Sequence, residues 1–299
     1  MKRALILIFT GAALWGTIGW YVNHLYTYGF TPLEVVALRV TSTAILLVIY
    51  FLITEKKVFL LQSPVDLKYF IGTGIFSIMF FNFCLFTAMD YSTLPIATAL
   101  LYTAPIIVTI LSRILFQEAF TKTKGMALFV SMLGIIFIVE LIPFDIQTFN
   151  LMALLFGLGS GLGYALYSVF SKYALVKYHS KTITLYTFIV AMIGSLPFFP
   201  YEKIAILTEP FALYYAIGLG FFPTAIAYIV YTIGLKEVEA SKAAIFSTIE
   251  PVVATVIGIT LFQEAFSFIQ ALGMLCIIGS VIMLQRVPKQ KKTNITAGL

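Results

Sequence analysis

Phe116-Gln117-Glu118-Ala119-Phe120 recurs letter for letter as Phe262-Gln263-Glu264-Ala265-Phe266, 146 residues further along the chain. The same shift, without a gap, lays Tyr69 to Phe120 over Tyr215 to Phe266, and 14 of the 52 paired positions agree. Gly72 falls on Gly218, Gly74 on Gly220, Pro105 on Pro251 and Thr109 on Thr255. A repeat of this length marks a duplicated architecture.

The solvent of that architecture is lipid. Hydrophobic residues make up 61%, charged residues only 11%, and mean hydropathy is +1.01; soluble domains carry about 25% charged residues. Ten apolar stretches reach the roughly 17 to 25 residues needed to cross a hydrocarbon core. They run approximately from Ala4 to Val22, Leu33 to Thr54, Lys68 to Met89, Leu94 to Leu115, Gly125 to Ile142, Leu151 to Ser171, Thr182 to Phe199, Phe211 to Ile233, Ala240 to Phe262 and Phe268 to Gln285. These runs are continuous rather than alternating, which excludes a β-barrel. The expected fold is an all-α membrane protein of ten transmembrane helices.

Charge orients it. When loops are assigned alternately, 16 of the 19 basic residues fall on one face, Lys203 alone on the other, and Arg39 and Arg113 within helices. By the positive-inside rule the basic face is cytoplasmic, with both termini on it. The net charge of +6 then reports orientation and contact with anionic lipid, and nucleic acid is not needed as a partner. Five helices per half is an odd number, so the second half enters the membrane in the opposite sense. The chain thus divides into a first repeat over 1–142, a second over 151–285 and a basic cytoplasmic tail over 286–299. Two halves of inverted topology are a construction of secondary transporters, with the solute site near the midplane.

Several features point away from other chemistry. Cys84 and Cys276 both lie in apolar helices and offer no disulfide framework or metal spacing. His24 and His179 fall in loops on opposite faces without ligand neighbours. No phosphate loop or HExxH motif is present, so neither an ATP-driven pump nor an enzyme is expected, and no cofactor is implied. The first span follows Lys2 and Arg3 but is longer than the apolar core of a signal peptide.

Glu250 is the most informative side chain. It sits about 15 Å into the ninth span, near the centre of a roughly 30 Å core, where an ionised group needs a polar cavity or a partner. Pro251 beside it leaves the Ser247 carbonyl without its helical donor. Two readings stand: a proton-titrating or amine-binding carboxylate, or a protonated or hydrogen-bonded group that supports the helix break. Glu250 aligns with Ala104 whereas Pro251 aligns with Pro105, so the prolines are shared helix breaks and the carboxylate belongs to one half. Arg39 lies roughly 9 Å inside the second span, with Glu34 nearby in sequence, and either snorkels outward or pairs locally, or attracts a solute carboxylate.

Trp15, Asn82, Tyr102, Tyr164, Tyr167, Tyr228 and Ser247 are candidates for a cavity lining, with Tyr231 and Thr248 beside them. Asn82 deep in lipid must face the interior, since its amide would otherwise go unsatisfied. Gly157, Gly159, Gly161 and Gly163 place small residues four apart on two faces of the sixth span, which permits close helix approach. Glu118 and Glu264 either end their helices in interfacial water or form gates that close alternately on each face.

With Pro105 followed by Phe116 to Glu118, Glu250-Pro251 followed by Phe262 to Glu264, and Trp15 and Tyr164 in the first helix of each half, the chain resembles EamA-type members of the drug/metabolite transporter superfamily. That resemblance covers essentially the whole chain. It implies a central cavity bordered by the first, third, fourth, sixth, eighth and ninth helices, with the fifth and tenth peripheral, in a bacterial cytoplasmic membrane. It implies a small-molecule solute, such as an amino acid or an amine, often exported. The function expected is secondary active transport with protons as a candidate coupling ion; a channel or facilitator and a lipid-modifying enzyme are the rival readings.

Overall fold

A computed structural model describes residues 2–141 and 150–285; the tail over 286–299 and the end of the fifth span at 142 lie outside the described residues. Among those residues, nine helices are long and apolar enough to cross a membrane. They are α1 (Lys2–Thr27), α2 (Pro32–Thr54), α3 (Pro64–Asp90), α4 (Leu94–Leu115), α6 (Leu151–Ala174), α7 (Ser180–Phe198), α8 (Pro210–Glu237), α9 (Ala240–Phe262) and α10 (Phe268–Gln285). The remaining span is α5 (Lys122–Ile138), of 17 residues. It starts earlier than hydropathy suggests because Thr121 caps it, accepting the Lys124 N–H at 3.2 Å. This draws Lys124 out of the loop and into the helix.

Helix packing carries the duplication into three dimensions. α1 packs on α8 and α3 on α6, two pairs that exchange when the halves are swapped. The pairs α2 with α7, α4 with α9 and α5 with α10 map onto themselves. Glycine sets the distance at several of these contacts. A Cβ on Gly134 of α5 would meet the Gly273 carbonyl of α10 at 2.8 Å, and a Cβ on Gly273 would meet the Gly134 carbonyl at 2.6 Å. Such close approach is how small residues hold helices together in lipid, where tails are as apolar as leucine. The α5–α10 pair lies to one side of the bundle centre built by α1, α3, α6 and α8.

Three spans are interrupted near the middle. α1 breaks at Gly16 and Thr17, α4 at Tyr102 and Thr103, and α9 at Ser247 and Thr248. α3 and α8 carry π-helical turns over Gly72–Met79 and Phe221–Ile226, overlapping positions of the repeat. Irregular backbone at this depth persists only where protein or a polar cavity surrounds it, and π-turns gather at functional sites.

The repeated pentapeptide is a helix stop. Gln117 and Gln263 both take φ of 55°, the left-handed region, and the next N–H turns back: Glu118 N to Ser112 O at 3.2 Å and Glu264 N to Gly258 O at 3.1 Å. In both, the N–H reaches six residues back to a carbonyl that also accepts from the helix end, Phe116 N on Ser112 O at 3.1 Å and Gln263 N on Gly258 O.

At the basic end Asp66 ties the start of α3 to the α6–α7 turn. Its carboxylate accepts from Lys177 Nζ at 3.0 Å and from the Tyr178 hydroxyl at 2.7 Å. The hydrogen bond to Asp66 raises the Lys177 ammonium above its ordinary pKa. Asp66→Asn removes the charge from this tie, and faster tryptic cleavage after Lys177 in limited proteolysis is the expected result; an unchanged rate would show that the turn is held elsewhere.

Candidate functional site

The site is assembled where two helix breaks meet. Pro251 has no N–H for the Ser247 carbonyl, and that carbonyl instead accepts from Glu250 N at 3.0 Å, one residue short of the helical register. The resulting break places Glu250 in the first turn of the second piece of α9 (Ile249–Phe262). The break of α1 lies directly against it: a Cβ on Gly16 would come within 2.7 Å of the Glu250 carbonyl oxygen and of Val253 Cβ. Only glycine permits this approach.

The Glu250 carboxylate is directed inward. The Tyr164 hydroxyl, from α6, donates to its Oε2 at 2.9 Å. Tyr102, at the break of α4, is a second hydroxyl facing the carboxylate, and the Arg39 charge acts on it through space. Five helices from both halves therefore converge on a group that exists in one half only.

Aromatic rings close the space beside it. The Trp15 ring lies 5.0 Å from Tyr228, 4.9 Å from Tyr231 and 5.9 Å from Tyr164, centre to centre. Tyr228 in turn packs edge-on against Tyr167 at 4.8 Å and Phe188 at 5.1 Å. Hydroxyls link α6 to α8, Tyr167 with Thr232 at 2.7 Å and Ser168 with Tyr231 at 2.8 Å. Between Trp15, Ser77, Phe81, Tyr164, Tyr167 and Tyr228 remains a cavity of about 10 Å³, comparable with the space one water requires. The Trp15 indole N–H and the Ser77 hydroxyl are buried here and take no hydrogen-bond partner among the described residues. Buried polar groups are nearly always paired, and a cavity of this size has room for one water that could pair with them.

A larger apolar cavity of about 340 Å³ lies elsewhere, between α4, α5 and α6. Its Thr103 hydroxyl is spent on the Leu100 carbonyl and its Asn150 side chain on the Met152 N–H. No titratable group faces it among the described lining residues, so it carries no solute chemistry comparable with that around Glu250.

Arg39 corrects the snorkelling reading. It is 6% exposed, and its Nε donates to Thr224 Oγ1 at 2.8 Å at the π-turn of α8. The physical reason is a ready acceptor inside: Thr224 gives the guanidinium a partner that lipid cannot. Lys172, in the last turn of α6, donates from its Nζ to the Leu235 and Val238 carbonyls at 2.6 and 2.5 Å and so ends α8. Asn82 is buried as hydropathy requires, but its Nδ2 is spent on the Ile78 carbonyl at 2.7 Å, beside the cavity rather than in it. Asn82 and Tyr228 occupy equivalent positions of the two halves. Ser247 is buried at the α9 break, donating to the Ala243 carbonyl at 3.0 Å, and Pro105 opens the second piece of α4. Ser77, absent from the sequence-derived candidates, carried no signal beyond a serine in an apolar run.

Glu118 and Glu264 are placed differently. Glu118 accepts from the Ala240 N–H at 2.7 Å, the Ser241 N–H at 3.1 Å and the Ser241 hydroxyl, so it caps α9 from the end of α4. Glu264 is exposed and folds over Gly258 of its own helix.

Comparison with known proteins agrees with this architecture. The chain matches the EamA-like transporter family twice, over residues 2–140 and 151–286. An uncharacterized transporter of Archaeoglobus fulgidus is 31% identical over 199 residues, covering 67% of this chain and 70% of its own. The uncharacterized transporter YyaM of Bacillus subtilis is 26% identical over 281 residues, covering 88% and 89%. Among solved structures, one protein crystal structure superposes with a TM-score of 0.77 at 18% identity, covering 95% of this chain and 96% of that one, a likeness of fold.

Proposed function

Because the chain belongs to the EamA-like transporter family, we propose that it is a secondary active exporter of small organic solutes, amines or amino acids, in the bacterial cytoplasmic membrane. The observation that carries this reading is the Glu250 carboxylate at a helix break, held by Tyr164 and walled by Trp15, Tyr228 and Tyr231. A carboxylate against aromatic faces suits an ammonium group, which gains both ion pairing and cation–π attraction. One carboxylate cannot hold a proton and an ammonium together, so the two compete and a proton gradient can drive the solute out. The two repeats, 1–142 and 151–285, supply matching helix breaks through which access alternates, with Pro105 and Pro251 as hinges and Glu118 and Glu264 at the gates. Solute reaches Tyr102, Tyr167 and Ser247 only when the cavity widens.

Purified protein in liposomes, screened with radiolabelled amines and amino acids under an imposed pH gradient, tests the reading. Gradient-driven accumulation of at least one amine or amino acid is expected, abolished by a protonophore. Movement that equilibrates without accumulation, whatever the gradient, would replace the exporter with a facilitator.

A further inference from the structure

We infer that Lys124, Glu239 and Ser241 join Glu118 in a charged lock that closes the basic end of the bundle, and that the opposite end is built without one. The protein free of solute then rests closed to the cytoplasm. This rests on the alternating-access reading above and adds to it the residues that bias the cycle.

Lys124 is 2% exposed. Its Nζ donates to Ser241 Oγ at 2.9 Å and to the Ala119 carbonyl at 2.9 Å, and lies 4.0 Å from Glu118 Oε2. Glu239 Oε2 stands 2.9 Å from the same nitrogen, an ion pair by distance whose angle makes it no hydrogen bond. Lys124 and Glu118 belong to the first half, Glu239 and Ser241 to the second. Every one of these contacts except that to Ala119 and the one between Lys124 and Glu118 joins α5 to the start of α9 and must break for the basic ends of α4 and α5 to part from α9. A buried lysine deprived of its carboxylates would be left uncompensated, which is strongly unfavourable.

The repeat shows what the other end lacks. A shift of 146 residues carries Lys124 to Gln270, Glu239 to Thr93 and Ser241 to Pro95. The cation becomes a neutral amide, and Pro95 has no N–H to offer Glu264. Packing follows the chemistry. Ala240, Ser241, Ala243, Ala244, Ile245 and Phe246 are all at most 5% exposed, whereas in the equivalent stretch of α4, Leu94 to Leu100, only Ala97 is buried. The first piece of α9 packs on the second piece of α4, and the counterpart contact at the opposite end is not made to any comparable extent. Two inverted copies of one fold give states of similar energy only when their gates match. Here they do not, and the mismatch shifts the population.

Ser247→Cys, in a background with Cys84→Ser and Cys276→Ser, reports access to the midplane from either side with a membrane-impermeant maleimide and full-length protein in oriented vesicles. Slower labelling from the cytoplasmic side is expected, with Lys124→Met and Glu118→Gln each raising that rate at least tenfold while Lys124→Arg does not. The double variant Pro95→Ser, Gln270→Lys installs two of the three missing partners at the opposite end, and labelling from that side should fall at least threefold. Folded Lys124→Met or Glu118→Gln protein that labels like the parent would overturn the lock. If neither folds, an unchanged rate in the double variant overturns it instead. Labelling needs no solute, so its failure leaves the role of Glu250 standing, and loss of flux on changing Glu250 leaves the lock standing.

Discussion

Glu250→Gln is expected to abolish proton-driven flux in liposomes while leaving the protein folded and monodisperse. The amide keeps the size of the side chain and an oxygen for the Tyr164 hydroxyl, now 2.9 Å from Oε2. It removes the charge that an ammonium or a proton would meet. A hydrogen bond to a charged group contributes about 1.5–3 kcal/mol, so solute affinity should drop by roughly ten- to hundredfold. Any residual flux should no longer respond to pH. Binding by the reconstituted variant, measured calorimetrically with the best substrate, separates the two losses. Flux and pH response equal to the parent would reduce Glu250 to a structural member of the helix break.

Gly163→Leu should carry the largest structural penalty. A Cβ at this position would stand 2.8 Å from Phe81 Cβ and 2.9 Å from both Phe81 Cα and N. The obstacle is backbone, so no rotamer of Phe81 relieves it. Overpacking of this kind costs about 1–3 kcal/mol where neighbours can shift, and here the shift would separate α3 from α6. That separation also opens the Phe81–Tyr164 ring contact of 5.9 Å, coupling stability to the site. The expected readout is a Tm lowered by several degrees together with weakened solute binding. Gly279→Leu is the control, because nothing stands within 4 Å of a Cβ there and its Tm should match the parent.

The two pentapeptides close their helices in the same way, with a left-handed glutamine and an N–H that turns back six residues, whichever way the half enters the membrane. What Glu118 does next is a different matter. Its partners Ala240 and Ser241 lie more than 120 residues away, and no local pattern announces them. The same holds for Lys124, which reads as one more basic residue of a cytoplasmic loop until the Thr121 cap and the facing end of α9 enclose it. Arg39 was legible as an unusual charge, but its direction depended on Thr224, 185 residues on.

Composition, hydropathy and the repeat by themselves determined a ten-span membrane bundle in two halves and the carboxylate that breaks the symmetry. They suffice because lipid imposes span length and helical hydrogen bonding on every segment separately. Tertiary structure alone decided that Glu250 meets Tyr164 beneath a ring of aromatic residues, that Arg39 turns inward, and that one end of the bundle is locked by charge and the other is not. Each of these is a contact between distant segments in a medium of low dielectric, where a buried charge takes whatever partner the folded neighbours present.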